Sequence, residues 1–190
     1  MQHRGTLFFQ TERLVFRRFH SADYEDMFRN WAANPNVQLE YGEPVYEDIQ
    51  QVKELLNTYM ENYQKPDYYR WAIIERKSNR NIGQIALCRV YSAIKTAEIE
   101  YCIGESFWGN GFAAEALNGL IEFLFRNTEF EKLEAYHRSE NVRSGRVLEK
   151  SRMHRTETVE RFRQENKTPE GEVCYCIECG EYFSNNKNKM

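Results

Sequence analysis

The chain has 190 residues, 41% of them apolar and 14% aromatic, with a formal net charge of −3. That length and composition suit one domain that closes its own hydrophobic core, and they exclude a disordered chain. The negative balance argues against a general nucleic-acid binder, which needs excess positive charge to displace phosphate counterions.

No apolar run approaches the roughly 20 residues that cross a bilayer, and Met1–Gly5 leads into no signal-peptide core. The expected setting is cytoplasmic, with no membrane or nucleic-acid partner, as a monomer or homodimer. The five cysteines, Cys88, Cys102, Cys174, Cys176 and Cys179, are odd in number and read as free thiols.

Arg13 to Phe19 predicts a first strand, with Leu14 and Phe16 alternating against Arg13, Val15 and Arg17. Ser21 or Asp23 can cap a helix carrying Tyr24, Met27, Phe28 and Trp31 on its apolar face, and Pro35 is expected to stop it. Glu47 to Tyr63 predicts a second helix. Tyr69 to Glu75 and Ile82 to Val90 read as strands joined through a polar turn from Arg76 to Asn81. Thr96 to Ile103 is a further strand, Phe112 to Arg126 a helix, Lys132 to His137 a strand and Asn141 to Lys150 a helix. Strands near Thr156 to Arg163 and Glu172 to Phe183 close the chain. The order gives a mixed α+β sheet with one βαβ crossover in its second half. Residues 1–190 read as a single domain, ordered over about 11–183, with 184–190 a frayed tail.

The most informative segment is Trp108-Gly109-Asn110-Gly111-Phe112-Ala113-Ala114-Glu115-Ala116, after a strand and at the start of a helix. Its glycines leave backbone N–H groups uncovered. The helix start adds unpaired N–H groups and the positive end of its dipole. Together they suit a phosphate or pyrophosphate. Ala113 and Ala114 keep the wall low. A tight loop with a glycine-assisted helix start is the plainer alternative. Gly109, Gly111 and Ala114 also match a dinucleotide fingerprint, with Glu134 about 20 residues on as the ribose acid. Against that reading, Gly104 to Trp108 separate the strand from the first glycine, and too little chain follows for a full dinucleotide-binding sheet.

With that turn in place, several segments resemble the GCN5-related N-acetyltransferase (GNAT) family, in its ribosomal-protein alanine acetyltransferase subgroup. They are Thr11-Glu12-Arg13-Leu14-Val15-Phe16-Arg17, Trp71-Ala72-Ile73, Ile82-Gly83-Gln84-Ile85, Glu98-Ile99-Glu100-Tyr101-Cys102-Ile103, the Trp108–Ala116 loop and Asn141-Val142-Arg143-Ser144. They occur in the family's order and spacing, from Thr11 to about Tyr182. The chain departs from the subgroup in having Glu100-Tyr101 for Gly-Tyr, and Ser151-Arg152-Met153 for Leu-Gly-Phe. Arginine at the second site replaces a glycine that favours positive φ. The resemblance implies a mostly antiparallel central sheet with helices on both faces, and acetyl-CoA as co-substrate. It implies acetyl transfer to a primary amine, such as a protein N-terminal amine, by direct attack in a ternary complex. A polyamine or antibiotic acetyltransferase and a non-catalytic acyl-CoA-binding protein are the alternatives.

The implied cofactor site comprises the backbone of Tyr101, Cys102 and Ile103 along the pantetheine arm and Trp108, Gly109, Asn110, Gly111, Phe112, Ala113 and Ala114 at the pyrophosphate, with Asn141 at the pantetheine and Ser144 beside the thiol. Ser144 would protonate the leaving thiolate, directly or through water, while Asn141 is also a plain N-cap. Glu98 and Glu100 lie two apart on one strand face and are candidate bases, with a solvated or salt-bridged sheet face the competing reading. Arg143, Arg146 and Lys150 share a helix face and suit either solvent or the 3′-phosphate of coenzyme A. Glu40, Glu43, Glu47 and Asp48 form an acidic stretch that would attract a cationic amine or merely face water. Cys174, Cys176 and Cys179 form C-x-C-x-x-C on a predicted strand, which suits free thiols better than a metal.

Overall fold

One sheet of eight strands organises the chain. In chain order these are β1 (Phe9–Gln10), β2 (Leu14–Arg17), β3 (Arg70–Glu75), β4 (Arg80–Tyr91), β5 (Thr96–Ile103), β6 (Lys132–Arg138), β7 (His154–Thr156) and β8 (Glu172–Glu178). They lie in the order β1-β2-β3-β4-β5-β6-β8-β7. All neighbours are antiparallel except β5 and β6, whose parallel pairing needs the crossover helix that joins them. The helices are α1 (Tyr24–Met27), α2 (Pro35–Tyr41), α3 (Ile49–Asn62), α4 (Phe112–Asn127), α5 (Val142–Lys150), α6 (Glu160–Gln164) and α7 (Cys179–Lys187). This computed structural model describes residues 1–187.

Alternation along β3 shows how the sheet separates two cores. Trp71 and Ile73 pack with α4, through Leu117, Leu120, Ile121 and Leu124. Ala72 and Ile74 pack on the other face with Met27, Trp31, Val52 and Leu56 of the early helical region. Each buried Leu or Ile contributes about 1.5–3 kcal/mol relative to an exposed one, so the two faces hold the sheet between them.

Several expectations need correcting. Pro35 does not simply end a helix. Tyr24–Met27 runs on into a wider π-turn over Phe28–Ala32, and then Asn34 caps α2, with its side chain accepting from the amides of Asn36 (2.9 Å) and Val37 (3.3 Å). Pro35 takes the first helical position, where its missing N–H costs nothing. The strand expected over Thr156 to Arg163 divides into β7 and α6, because Glu134 accepts the Glu160 amide at 2.7 Å and so satisfies a helix-start donor. The last strand stops at Glu178 and the chain turns into α7, which takes in residues 184–187 of the expected frayed tail. Residues 188–190 lie outside the described residues. Arg152 is not among the positive-φ residues, so the glycine it replaces is not required here. Its guanidinium lies 4.9 Å from the Tyr182 ring centroid.

Candidate active site

β5 and β6 pair only at Thr96↔Lys132, Ala97↔Leu133 and Glu98↔Glu134. Beyond that the two strands part, while β5 stays paired to β4 through Ile103 and β6 to β8 through Arg138. A cleft therefore opens along β5. The Gly104 amide donates to Ile82 on β4 at 2.8 Å. Strand alternation then turns the N–H groups of Tyr101 and Ile103 toward the cleft. The Ile103 carbonyl accepts from the Trp108 indole at 2.7 Å, which fixes the loop that follows.

That loop forms the floor of a cavity of about 400 Å³. Gly109 and Gly111 have φ of +78° and +79°, a region that L side chains rarely occupy. Among the described residues, the amides from Gly109 to Ala114 have no hydrogen-bond partner, and the first helical bond of the segment is Glu115 N–H to the Gly111 carbonyl at 3.0 Å. The Asn110 carbonyl accepts from the Arg13 guanidinium at 3.0 Å. A trans peptide holds the next N–H opposite its carbonyl, so Arg13 turns the Gly111 amide away from itself. Arg13 in turn bonds Glu115 at 2.6 Å and lies 4.6 Å from the Phe112 ring centroid. Burial pushes the Glu115 carboxyl up, but hydrogen bonds from Thr11 and Arg13 outweigh it and hold it below the usual range.

The cavity also meets Tyr101, Asn141 and Ser144. Asn141 caps α5 by accepting the Ser144 amide at 2.9 Å, and its Nδ2 donates to the Glu40 carbonyl of α2 at 3.3 Å. The cap therefore sets the position of Ser144 and ties α5 to α2. The Ser144 and Tyr101 hydroxyls lie 3.0 Å apart. Burial holds the Tyr101 phenol well above its ordinary range, so both groups are neutral. Arg143, Arg146 and Lys150 line the same cavity. Arg143 lies 4.1 Å from the Trp108 ring centroid and 3.3 Å from Glu40. For Arg146 and Lys150 no ion pair is formed among the described residues.

Comparison with known proteins decides the family. The acetyltransferase (GNAT) domain matches residues 13–154. The chain belongs to the GNAT acetyltransferase family. The uncharacterized N-acetyltransferase YoaA of Bacillus subtilis is 28% identical over 168 residues, covering 88% of this chain and 94% of that one. The ribosomal-protein-S5-alanine acetyltransferase of Vibrio fischeri shares the fold with a TM-score of 0.72 at 15% identity, over 90% of this chain and 96% of that one. The spermidine N-acetyltransferase of Vibrio cholerae, solved with CoA and spermine, does so with a TM-score of 0.71 at 18% identity, over 91% and 99%. Acetyl-CoA is the co-substrate of this GNAT enzyme, and the unbonded loop amides and the basic side chains of α5 fit its phosphates.

The remaining expected site residues of this acetyltransferase fall in different places. Trp108, Gly109, Gly111, Phe112, Ala113 and Ala114 line the cavity, as do Tyr101, Cys102 and Ile103. Asn110 does not line it. Its side chain folds back onto the Phe107 and Trp108 carbonyls at 3.1 and 3.2 Å and braces the turn. Cys102 carries a thiol pushed up to about 12 by burial, so it is protonated and a poor nucleophile at neutral pH. Glu98 is 3% exposed and lies where β5 and β6 separate, outside the cavity lining. It accepts the Cys88 thiol at 3.2 Å and faces Arg161 of α6 at 3.5 Å. Burial raises its carboxyl.

Glu100 also stands just off the cavity lining. Its Oε1 accepts from Arg70 at 2.7 Å and from the Tyr41 hydroxyl at 2.9 Å, and Tyr41 does line the cavity. Arg70 also donates to Gln84 at 2.8 Å and to the Tyr68 hydroxyl at 3.1 Å, and sits 4.5 Å from the Tyr59 ring centroid. Loss of water and the nearby Glu100 raise the Glu43 carboxyl. Of the rest of the acidic stretch, Glu40 lines the cavity and Asp48 is spent as the cap of α3. Cys174, Cys176 and Cys179 stand as free thiols, with Cys179 already at the start of α7. Among the described residues, no helix is long and apolar enough to cross a membrane.

Sequence reasoning missed Arg13, Tyr41 and Arg70. Arg13 was legible only as part of a strand, because its partners Asn110 and Glu115 lie 97 and 102 positions away. Tyr41 gives no signal at all, since its role comes from α2 crossing to β5.

Proposed function

We propose that the enzyme moves acetyl from acetyl-CoA to a primary amine in one step within a ternary complex, with a protein N-terminal amine as the first acceptor to test. The unbonded run of amides from Gly109 to Ala114 carries this reading. It offers the diphosphate a set of donors already oriented by Arg13, so little reorganisation opposes binding. The edge amides of Tyr101 and Ile103 would hold the pantetheine arm as an added strand. Arg146 and Lys150 would meet the 3′-phosphate. Five free cysteines suit a cytoplasmic setting.

The chemistry divides across the sheet. Tyr101 and Ser144 stand on one side of β5, where the leaving thiolate needs a proton, and Ser144 supplies or relays it. Glu100 and Tyr41 stand on the other, where an amine would enter. The protonated Cys102 thiol supports direct attack over an acyl-enzyme. An N-terminal amine, with an ordinary pKa of about 7.7–8.0, supplies more neutral nucleophile at neutral pH than lysine at about 10.4.

Acetyl-CoA at 100 times its Kd is expected to stabilise the protein by about 2.7 kcal/mol and raise its Tm. Transfer is then read against an alanine-led peptide and spermidine. A Tm that does not respond to millimolar acetyl-CoA overturns the cofactor site. A shift without transfer to any amine favours an acyl-CoA-binding role.

A further inference from the structure

The base candidate Glu100 does not line the cavity, yet Tyr41, bonded to it, does. The Tyr41 hydroxyl donates to Glu100 Oε1 at 2.9 Å and accepts from Gln84 Nε2 at 3.3 Å. Arg70 grips the same Glu100 oxygen at 2.7 Å, so the carboxylate cannot swing into the cavity without leaving a guanidinium that is 14% exposed. The groups around the pair are Arg70, Tyr59, Tyr68, Gln84, Cys102 and Glu43, with Cys88 and Glu98 further along the sheet also within reach of the Glu100 charge. Of these, Cys102 lines the cavity and its thiol is held protonated by burial. Glu43 forms no hydrogen bond or ion pair through its side chain among the described residues.

Resting on the acetyltransferase reading above, we infer that Tyr41 is a catalytic residue, the hydroxyl that carries the acceptor's proton to Glu100. As the amine nitrogen bonds to the acetyl carbon, its N–H bond breaks and the proton passes to the Tyr41 oxygen. The Tyr41 O–H proton passes in the same motion to Glu100 Oε1. The C–S bond breaks with its electron pair on sulfur, and that thiolate takes the Ser144 hydroxyl proton, which water replaces. Tyr41 ends neutral, as it began, and Glu100 ends as a carboxylic acid that returns its proton to water. The phenol never has to exist as a phenolate. That agrees with its ionisation being pushed far up by burial and by Glu100. The two proton events, acceptor and leaving group, are thereby placed on opposite faces of β5, which keeps the leaving thiolate from competing for the amine's proton.

Tyr41→Phe removes one oxygen and keeps the ring. It is expected to lower kcat on an alanine-led peptide or spermidine by about 100-fold, with acetyl-CoA affinity within a factor of about three of wild type. Glu100→Gln should lose as much, and the double variant no more than either single one, because the two act as one unit. A Tyr41→Phe enzyme that keeps kcat within threefold overturns the relay, and so do losses that multiply in the double variant. If Glu100→Gln does not accumulate, the split between kcat and acetyl-CoA affinity in Tyr41→Phe alone decides. A wild-type protein that binds acetyl-CoA yet acetylates no amine overturns the acetyltransferase reading itself and the relay with it, an outcome distinct from a wild type that turns over and a variant that is unaffected.

Discussion

A pair of substitutions at Gly111 tests the diphosphate floor most directly. Gly111 has φ +79°, and a Cβ built there comes no nearer than 3.6 Å to the Arg13 guanidinium, so space is available. The cost of a side chain is conformational, about 1–2 kcal/mol for an L-residue in the left-handed region, and Asn and Asp bear it best. Gly111→Asn and Gly111→Asp therefore share shape, reach and strain, and differ by one charge. A carboxylate ~5 Å from a phosphate charge is repelled by about 3 kcal/mol at an effective dielectric of ~20. Salt screening leaves about 2 kcal/mol, or roughly thirtyfold in affinity. Both variants are expected to melt about 2–8 °C below wild type. By titration calorimetry the Asp protein should bind acetyl-CoA about thirtyfold more weakly than the Asn protein, and the gap should narrow at high salt. Equal affinities for the pair, or a gap indifferent to salt, would refute the claim that these amides hold a diphosphate.

Ser144→Ala should lower kcat by about tenfold or more while leaving acetyl-CoA affinity nearly unchanged, which steady-state kinetics beside calorimetry will separate. Arg146→Ala combined with Lys150→Ala should weaken coenzyme A about tenfold but leave the 3′-dephospho compound unaffected; an equal loss for both ligands places the 3′-phosphate elsewhere. Glu115→Gln should cost about 2 kcal/mol at neutral pH through weaker bonds from Thr11 and Arg13, a fall of about 4–8 °C. Because the folded carboxyl sits below its unfolded value, its stabilisation is complete above the unfolded pKa of about 4.3 and fades as pH falls through the folded value. Melting curves of variant and wild type should therefore converge in acid.

The parts of the site that one short segment builds were readable in advance. Gly109 and Gly111 take the positive φ their residue type permits, β5 has the expected bounds of Thr96 and Ile103, and Asn141 caps α5 over Ser144. What could not be read depends on distant chain coming together. The same-face spacing of Glu98 and Glu100 was visible, but not that α6 would face the first and α2 the second. Local signals misled where two readings shared one pattern. Thr156 to Arg163 was read as one strand, yet Val159 and Phe162 stand three apart, a helical spacing, and a carboxylate from β6 at the Glu160 amide starts the helix. At Pro35 the cue was present in Asn34, a good cap, but the proline's power to stop a helix outweighed its suitability to begin one.

The short seam between β5 and β6 has a consequence for how the protein behaves in a cell. Two blades meet through three residue pairs and then diverge, so what lies between them becomes part of the architecture. On the proposed placement of the cofactor, a thioester ligand paired to the β5 edge would close a gap that the polypeptide leaves open, and occupancy at 100 times Kd would add about 2.7 kcal/mol. Stability would then depend on the concentration of acetyl donor, and a substitution that loosens the seam would show its full cost only when that donor is scarce.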